Sequence, residues 1–332
     1  MGLRRNEEFP FPDVFMKHRG ADMWIREPGK VSDRLDFLGA RENCLYLLRG
    51  RDMMIIGGGM SWIVPSLEIQ LSKIDFEPKK LKYLVVSHSH FDHCGAVPYL
   101  KKKFPHIQIL ASAHAEKIFA KHKAIDFIAV TNKYAIDRLG LQSEYEGLDL
   151  KFDGIHVDRI ITEKDIVDLG DGIDVHFLEV PGHTQCSIAA YVPKLKILFP
   201  GDAAPPPTDD ENTVFFPGPQ YHFGLFKQSM ARLAGLEVEI VASEHYGAVT
   251  GTRAGRLLQE GLRQTERFRS RIIEMHQQTR NFDETVRKAA VEILSRNDFD
   301  FMGMGKEMQL TVLKTAIRRI LEYAGLIDRT AP

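Results

Sequence analysis

Apolar residues fall along the chain in two textures. Before Gly251 they form short runs of strand length broken by Gly, Pro and Asp turns. After it they recur at helical spacing and the strand-like runs cease. Residues 43–48 and 53–56 flank Arg49-Gly50-Arg51-Asp52, which signals a β-hairpin ending in Gly57-Gly58-Gly59. Further strands are predicted at 81–86, 107–111, 166–169, 173–178, 187–192, 196–199 and, as the last, 238–242. The turn Gly170-Asp171-Gly172 joins two of them as a second hairpin. Helices are predicted at 66–73, 96–104, 112–122 with Ser112 as the cap, 126–139 and 221–236. Residues 1–35, carrying Pro10, Pro12 and Pro28, read as an irregular N-terminal arm. Residues 256–278, 283–295 and 308–324 read as helices, with Leu258, Leu262, Phe268 and Ile272 on one stripe of the first. Met302-Gly303-Met304-Gly305-Lys306 reads as a turn between two of them. The organisation expected is one domain over 1–250 and a helical extension over 251–332.

Composition adds exclusions. The chain has 332 residues, 44% hydrophobic and 27% charged, with a net charge of −1. That balance offers no electrostatic case for nucleic acid or a membrane surface as partner. No apolar run approaches the roughly 20 residues that span a bilayer, and none follows Arg4-Arg5 as a secretory signal requires. The 3 cysteines, Cys44, Cys94 and Cys186, are odd in number and far apart. They argue against a disulfide framework and fit a reducing cytoplasm.

The candidate chemistry starts at Ser87-His88-Ser89-His90-Phe91-Asp92-His93, on the turn between an apolar strand and a helix. In open α/β folds ligands bind beyond the carboxyl ends of strands. Imidazole and carboxylate together suit a borderline divalent metal. Three more strand ends carry matching residues: His183 in Pro181-Gly182-His183-Thr184, Asp202 in Gly201-Asp202, and His245 in Ser243-Glu244-His245. Of the 13 histidines, His18, His106, His114, His122, His156, His176 and His276 are single and read as structural or surface residues.

Together these motifs resemble the metallo-β-lactamase fold hydrolases over about residues 36–250. The resemblance implies an αββα sandwich: two face-to-face sheets, helices outside, and a dinuclear site at one edge. It implies that His88, His90 and His183 hold one divalent ion, that Asp92, His93 and His245 hold a second, and that Asp202 bridges them. Zinc is the first expectation and iron or manganese the alternatives. Asp92 and Asp202 are the expected catalytic residues, acting with a metal-bridging hydroxide. His90 stands where the oxygen-reducing di-iron relatives carry an acid, which argues for hydrolysis.

The chain departs from the family pattern in two places. Ile56-Gly57-Gly58-Gly59 stands at the end of the early hairpin, where members usually carry an Asp that supports the ligands, and Gln185-Cys186-Ser187 follows the Pro-Gly-His-Thr loop. Cys94 and Cys186 read as buried packing residues.

The helical extension resembles that of glyoxalase II type and quinolone-signal-response thioesterases. The latter share a Cys after the last His of the motif and a segment like Pro98-Tyr99-Leu100. That resemblance makes a small acyl thioester the expected substrate, with the extension covering the active site. Tyr221, His222 and Phe223, in an aromatic stretch that begins at Phe215-Phe216-Pro217, are the candidate substrate contacts. A lactone or other ester, a phosphodiester, or a regulatory binding role without turnover are the alternatives, and a homo-oligomer is left open.

Overall fold

The strand-length apolar runs pair into two sheets of seven strands each among the residues described by the computed structural model, 22–207, 218–294 and 305–329. Residues 1–21, the Phe215-Phe216-Pro217 segment and Met302 to Met304 lie outside these. The strands are β1 (Trp24–Ile25), β2 (Gly29–Ser32), β3 (Leu35–Ala40), β4 (Asn43–Arg49), β5 (Met53–Ile56), β6 (Leu81–Val85), β7 (Gln108–Ala111) and β8 (Arg159–Ile160). They continue with β9 (Ile166–Asp168), β10 (Asp174–Glu179), β11 (Ile188–Val192), β12 (Ile197–Phe199), β13 (Ile240–Ala242) and β14 (Ala248–Thr250). One sheet has the order β2-β3-β4-β5-β6-β7-β8, the other β1-β14-β13-β12-β11-β10-β9. Pairing is parallel from β5 to β8 and between β12 and β13, and antiparallel elsewhere.

The period-2 alternation of side chains decides which residues go where. Tyr46 and Leu48 of β4, Met54 and Ile56 of β5, Val175 and Phe177 of β10, and Ile197 and Phe199 of β12 face the space between the sheets. The residues between them point the other way. Leu45, Leu47, Ile55 and Leu84 meet helices outside the first sheet, and Leu178, Ala189 and Leu198 lie on the outer face of the second. Because both faces are covered, these strands are apolar almost throughout.

The outer helices are α1 (Val64–Lys73), α2 (Val97–Lys103), α3 (Ala113–Phe119) and α4 (His122–Leu139) on one side and α5 (Phe223–Ala234) on the other. Ser112 caps α3, its Oγ accepting from Ala115 N at 3.2 Å. The architecture is the αββα sandwich. The extension holds α6 (Thr252–Thr279), α7 (Phe282–Leu294) and α8 (Gly305–Tyr323), which share an apolar core of Phe268, Ile272, Val286, Leu313 and Ile317.

Three local expectations are corrected. Residues 22–35 are not wholly irregular, since β1 and β2 pair with β14 and β3. The last strand is β14, formed after a tight return from β13. The helix expected from 126 begins at His122. No helix among the described residues is long and apolar enough to cross a membrane.

Candidate metal centre

Four loops leave β6, β10, β12 and β13 at the same edge of the sandwich and bring the seven expected residues together. The loop after β6 carries His88, His90, Asp92 and His93, and two buried asparagines brace its backbone. Asn43 Nδ2 donates to Asp92 O at 2.8 Å, and Asn132 Nδ2 donates to Phe91 O at 3.0 Å. Ile188 N, at the start of β11, donates to Ser87 O at 2.8 Å and ties this loop to the other sheet. The His245 turn is held from β4 and the residues before it: Tyr46 Oη donates to Ser243 O at 2.7 Å and Cys44 N to Glu244 O at 2.8 Å.

The ligand-type atoms sort into overlapping groups: His88, His90 and His183; Asp92, His93 and His245; and His88, His93 and Asp202. Within each, one atom per residue lies within 4.8 Å of the others. His183 Nε2 is 2.9 Å from His90 Nδ1, and His245 Nε2 is 3.1 Å from His93 Nε2. Tetrahedral zinc with nitrogen ligands at about 2.0–2.1 Å places those ligands about 3.3 Å apart. Asp202 touches both halves. Its Oδ2 is 3.3 Å from His183 Nε2, 3.4 Å from His93 Nε2 and 4.0 Å from His88 Nε2, and its Oδ1 is 3.6 Å from His245 Nε2. Asp92 Oδ2 lies 3.5 Å from His93 Nε2 and 3.6 Å from His245 Nε2.

Three of the five imidazoles engage an acceptor through Nδ1, which turns Nε2 toward the centre. His245 Nδ1 donates to Glu42 O at 2.8 Å, His183 Nδ1 donates to Gly218 O, and His93 Nδ1 donates to Glu244 Oε2 at 2.7 Å. This is the support that metal-binding imidazoles require. His88 Nε2 is buried with no hydrogen-bond partner, an arrangement that is costly unless a cation meets it. The donor set therefore fits a divalent metal site.

Electrostatics follow from burial and proximity. Burial, helped by neighbouring imidazoles, lowers His90 to about 3 and His88 well below the ordinary histidine value. Burial also lowers His183. Burial works against the charged form of His93 too, but Asp202, Asp92 and Glu244 outweigh it and raise this residue well above the ordinary value. Burial likewise opposes ionisation of Asp92 and Asp202, and the surrounding histidines overcome it. Asp92 is held at about 2 and Asp202 well below the usual carboxylate range. His90 and Asp202 are the two of the seven that are only partly buried.

The candidate substrate residues separate. Tyr221 and His222 are partly exposed, and their backbone N–H groups donate to Gly182 O at 3.1 and 3.0 Å, beside His183. The His222 ring is engaged as the cap of α5, Nδ1 accepting from Leu225 N at 3.2 Å. Phe223 is fully buried in the core shared with the extension, its ring 5.4 Å from that of Tyr323. Helix α5 places Phe223, Phe226, Met230 and Leu233 on its buried face. Cys94 and Cys186 are buried, as their packing reading requires. Sequence reasoning passed over Glu244, although an acid beside a ligand at a strand end was a signal for it.

A model of the metallo-beta-lactamase superfamily matches residues 40–245. The chain belongs to that superfamily. Among curated relatives, the metallo-beta-lactamase fold-containing protein ST1585 of Sulfurisphaera tokodaii is 28% identical over 188 residues, 56% of this chain and 66% of that one. Acyl-coenzyme A thioesterase MBLAC2 of Gallus gallus is 26% identical over 179 residues, 52% of this chain and 61% of that one. This member of the superfamily thus spans less than two thirds of the length of each of these relatives. A beta-lactamase domain protein from Burkholderia ambifaria superposes with a TM-score of 0.64 at 17% identity, covering 94% of this chain and 91% of that one. That likeness shows the fold and extends through the helical region.

Proposed function

We propose that this chain is a dinuclear metal-dependent hydrolase of acyl thioesters. The observation that carries the two-cation reading is Asp202, whose carboxylate faces ring nitrogens of both triads. His88, His90 and His183 would hold one ion, and Asp92, His93 and His245 the other. Two bound divalent ions, with zinc the first choice, would supply Lewis acidity and an acidified water. Asp92 and Asp202 stay ionised at neutral pH and partly offset the charge of the ions. Asp92 is then able to accept a proton but not to donate one. The partly exposed His90 and Asp202 mark the face on which a carbonyl would be presented.

The thioester reading rests on two supports. One is the kinship with the chicken acyl-coenzyme A thioesterase. The other is the apolar lining beside the site: Met60, Trp62, Phe91 and Met308 pack together next to the ligand loop. Helix α8 begins near Phe91 through Met308 and reaches the Tyr221 segment through Arg319, whose Nε donates to Gln220 O at 3.1 Å. That path supports reading residues 251–332 as the cover of the site and Tyr221 as the remaining substrate contact. The test is a screen of zinc-loaded protein against acyl-coenzyme A esters, homoserine lactones and bis(p-nitrophenyl) phosphate. Turnover greatest on the thioesters is expected. Preference for the phosphodiester would overturn the reading.

A further inference from the structure

We propose that Glu244 orients His93 for the second cation, filling from the far side of the site the place left empty by Gly57. The proposal rests on the two-cation reading of the site. Glu244 is 1% exposed, and its Oε2 lies 2.7 Å from His93 Nδ1. With Nδ1–H engaged there, Nε2 is the lone pair that faces Asp92, Asp202 and His245. A carboxylate behind a ligating imidazole fixes its tautomer and ring plane and raises its basicity.

Gly57 leaves room for this carboxylate to come from the turn after β13. A Cβ built on Gly57 would lie 3.2 Å from Glu244 Oε2 and 3.2 Å from Cys44 O, at φ +96°. The Glu244 carboxylate therefore occupies the room over the end of β5 that a side chain at 57 would use. A side chain at 57 would require the Glu244 carboxylate to shift from its present position.

The environment of Glu244 is poor for stability alone. Oε1 is buried with no hydrogen-bond partner, 3.7 Å from a Cβ built on Gly201. A half-satisfied buried carboxylate is costly, and orientation of a ligand is the return that the geometry identifies. The backbone holds the residue in place through Cys44 N, which donates to Glu244 O.

The test compares Glu244→Ala and Glu244→Gln with the parent protein in zinc titrations against a chromophoric chelator. Each metal-free protein is first checked for folding by circular dichroism. In Glu244→Ala, one of the two zinc affinities is expected to fall about 10–100-fold while the other holds. Glu244→Gln is isosteric and keeps an oxygen acceptor for Nδ1–H, so it should recover part of that loss. Should Glu244→Ala fail to fold, Glu244→Gln alone decides, with a selective loss expected. Unchanged affinities, or equal losses at both positions, would overturn the role of Glu244. A parent protein that takes up one zinc would instead overturn the two-cation reading. The Glu244 result would still be read from whether that one zinc weakens.

Discussion

Asp202 Oδ2 lies 3.3 Å from His183 Nε2, although the two residues leave different strands, β12 and β10. The same oxygen is 3.4 Å from His93 Nε2 across the site. One carboxylate thus stands between two groups of imidazoles that otherwise repel once protonated. Asp202→Ala should therefore weaken metal at both positions by more than the roughly 10–100-fold typical of a supporting residue. Metal analysis after desalting reads this directly. Full retention of metal in that variant would remove Asp202 from the centre.

Stability of the metal-free protein should depend on pH in two opposite ways. His88, His90 and His183 have folded values below the unfolded histidine value of about 6.5. Their contribution is present above 6.5 and is lost as pH falls through the window beneath it. His93 has a folded value raised above the same reference. Its contribution is present below 6.5 and is lost as pH rises toward the folded value. Thermal melts of chelator-treated protein from pH 5 to 9 should show a maximum near neutrality. A melting temperature that rises steadily to pH 9 would contradict the assignment of His93.

Phe223→Ala tests core against pocket. The ring is fully buried among Phe268, Ile272 and Leu313. Its truncation should cost about 3–5 kcal/mol in denaturant unfolding. The folded fraction should still bind metal. A fully stable variant with a raised KM would return Phe223 to the substrate-contact role.

Gly182→Ala tests how α5 and the His183 loop fit together. Gly182 has φ +138°, and a Cβ there would lie 2.1 Å from Phe226 N. The helix would have to withdraw from the loop whose carbonyl accepts from Tyr221 and His222. A loss well above the ordinary ~1 kcal/mol scale of glycine replacements is expected, with reduced metal loading. A neutral result in both melting and loading would contradict this packing.

Much of the site is legible in the sequence because its seven side chains follow the ends of four short apolar runs. Strand ends on one edge of an α/β layer meet in space, so His183, Asp202 and His245 can be grouped with the His88–His93 turn before any coordinates. The hairpins and central strands are legible for a similar reason: alternation and turn residues are local signals. What escapes notice is non-local. Strand β1 has only two residues, and its partner, β14, lies more than two hundred positions away. The helix that carries Phe223 is legible, but the residues that bury its ring, Phe268, Ile272 and Leu313, come from the distant extension. The approach of Gly57 to Glu244 is not legible either, because the two positions meet only when the sheets close.

Metal stoichiometry tests the dinuclear centre most directly. Protein loaded with excess zinc and then desalted should carry two equivalents per chain by elemental analysis. A value near one under the same conditions would contradict the dinuclear centre.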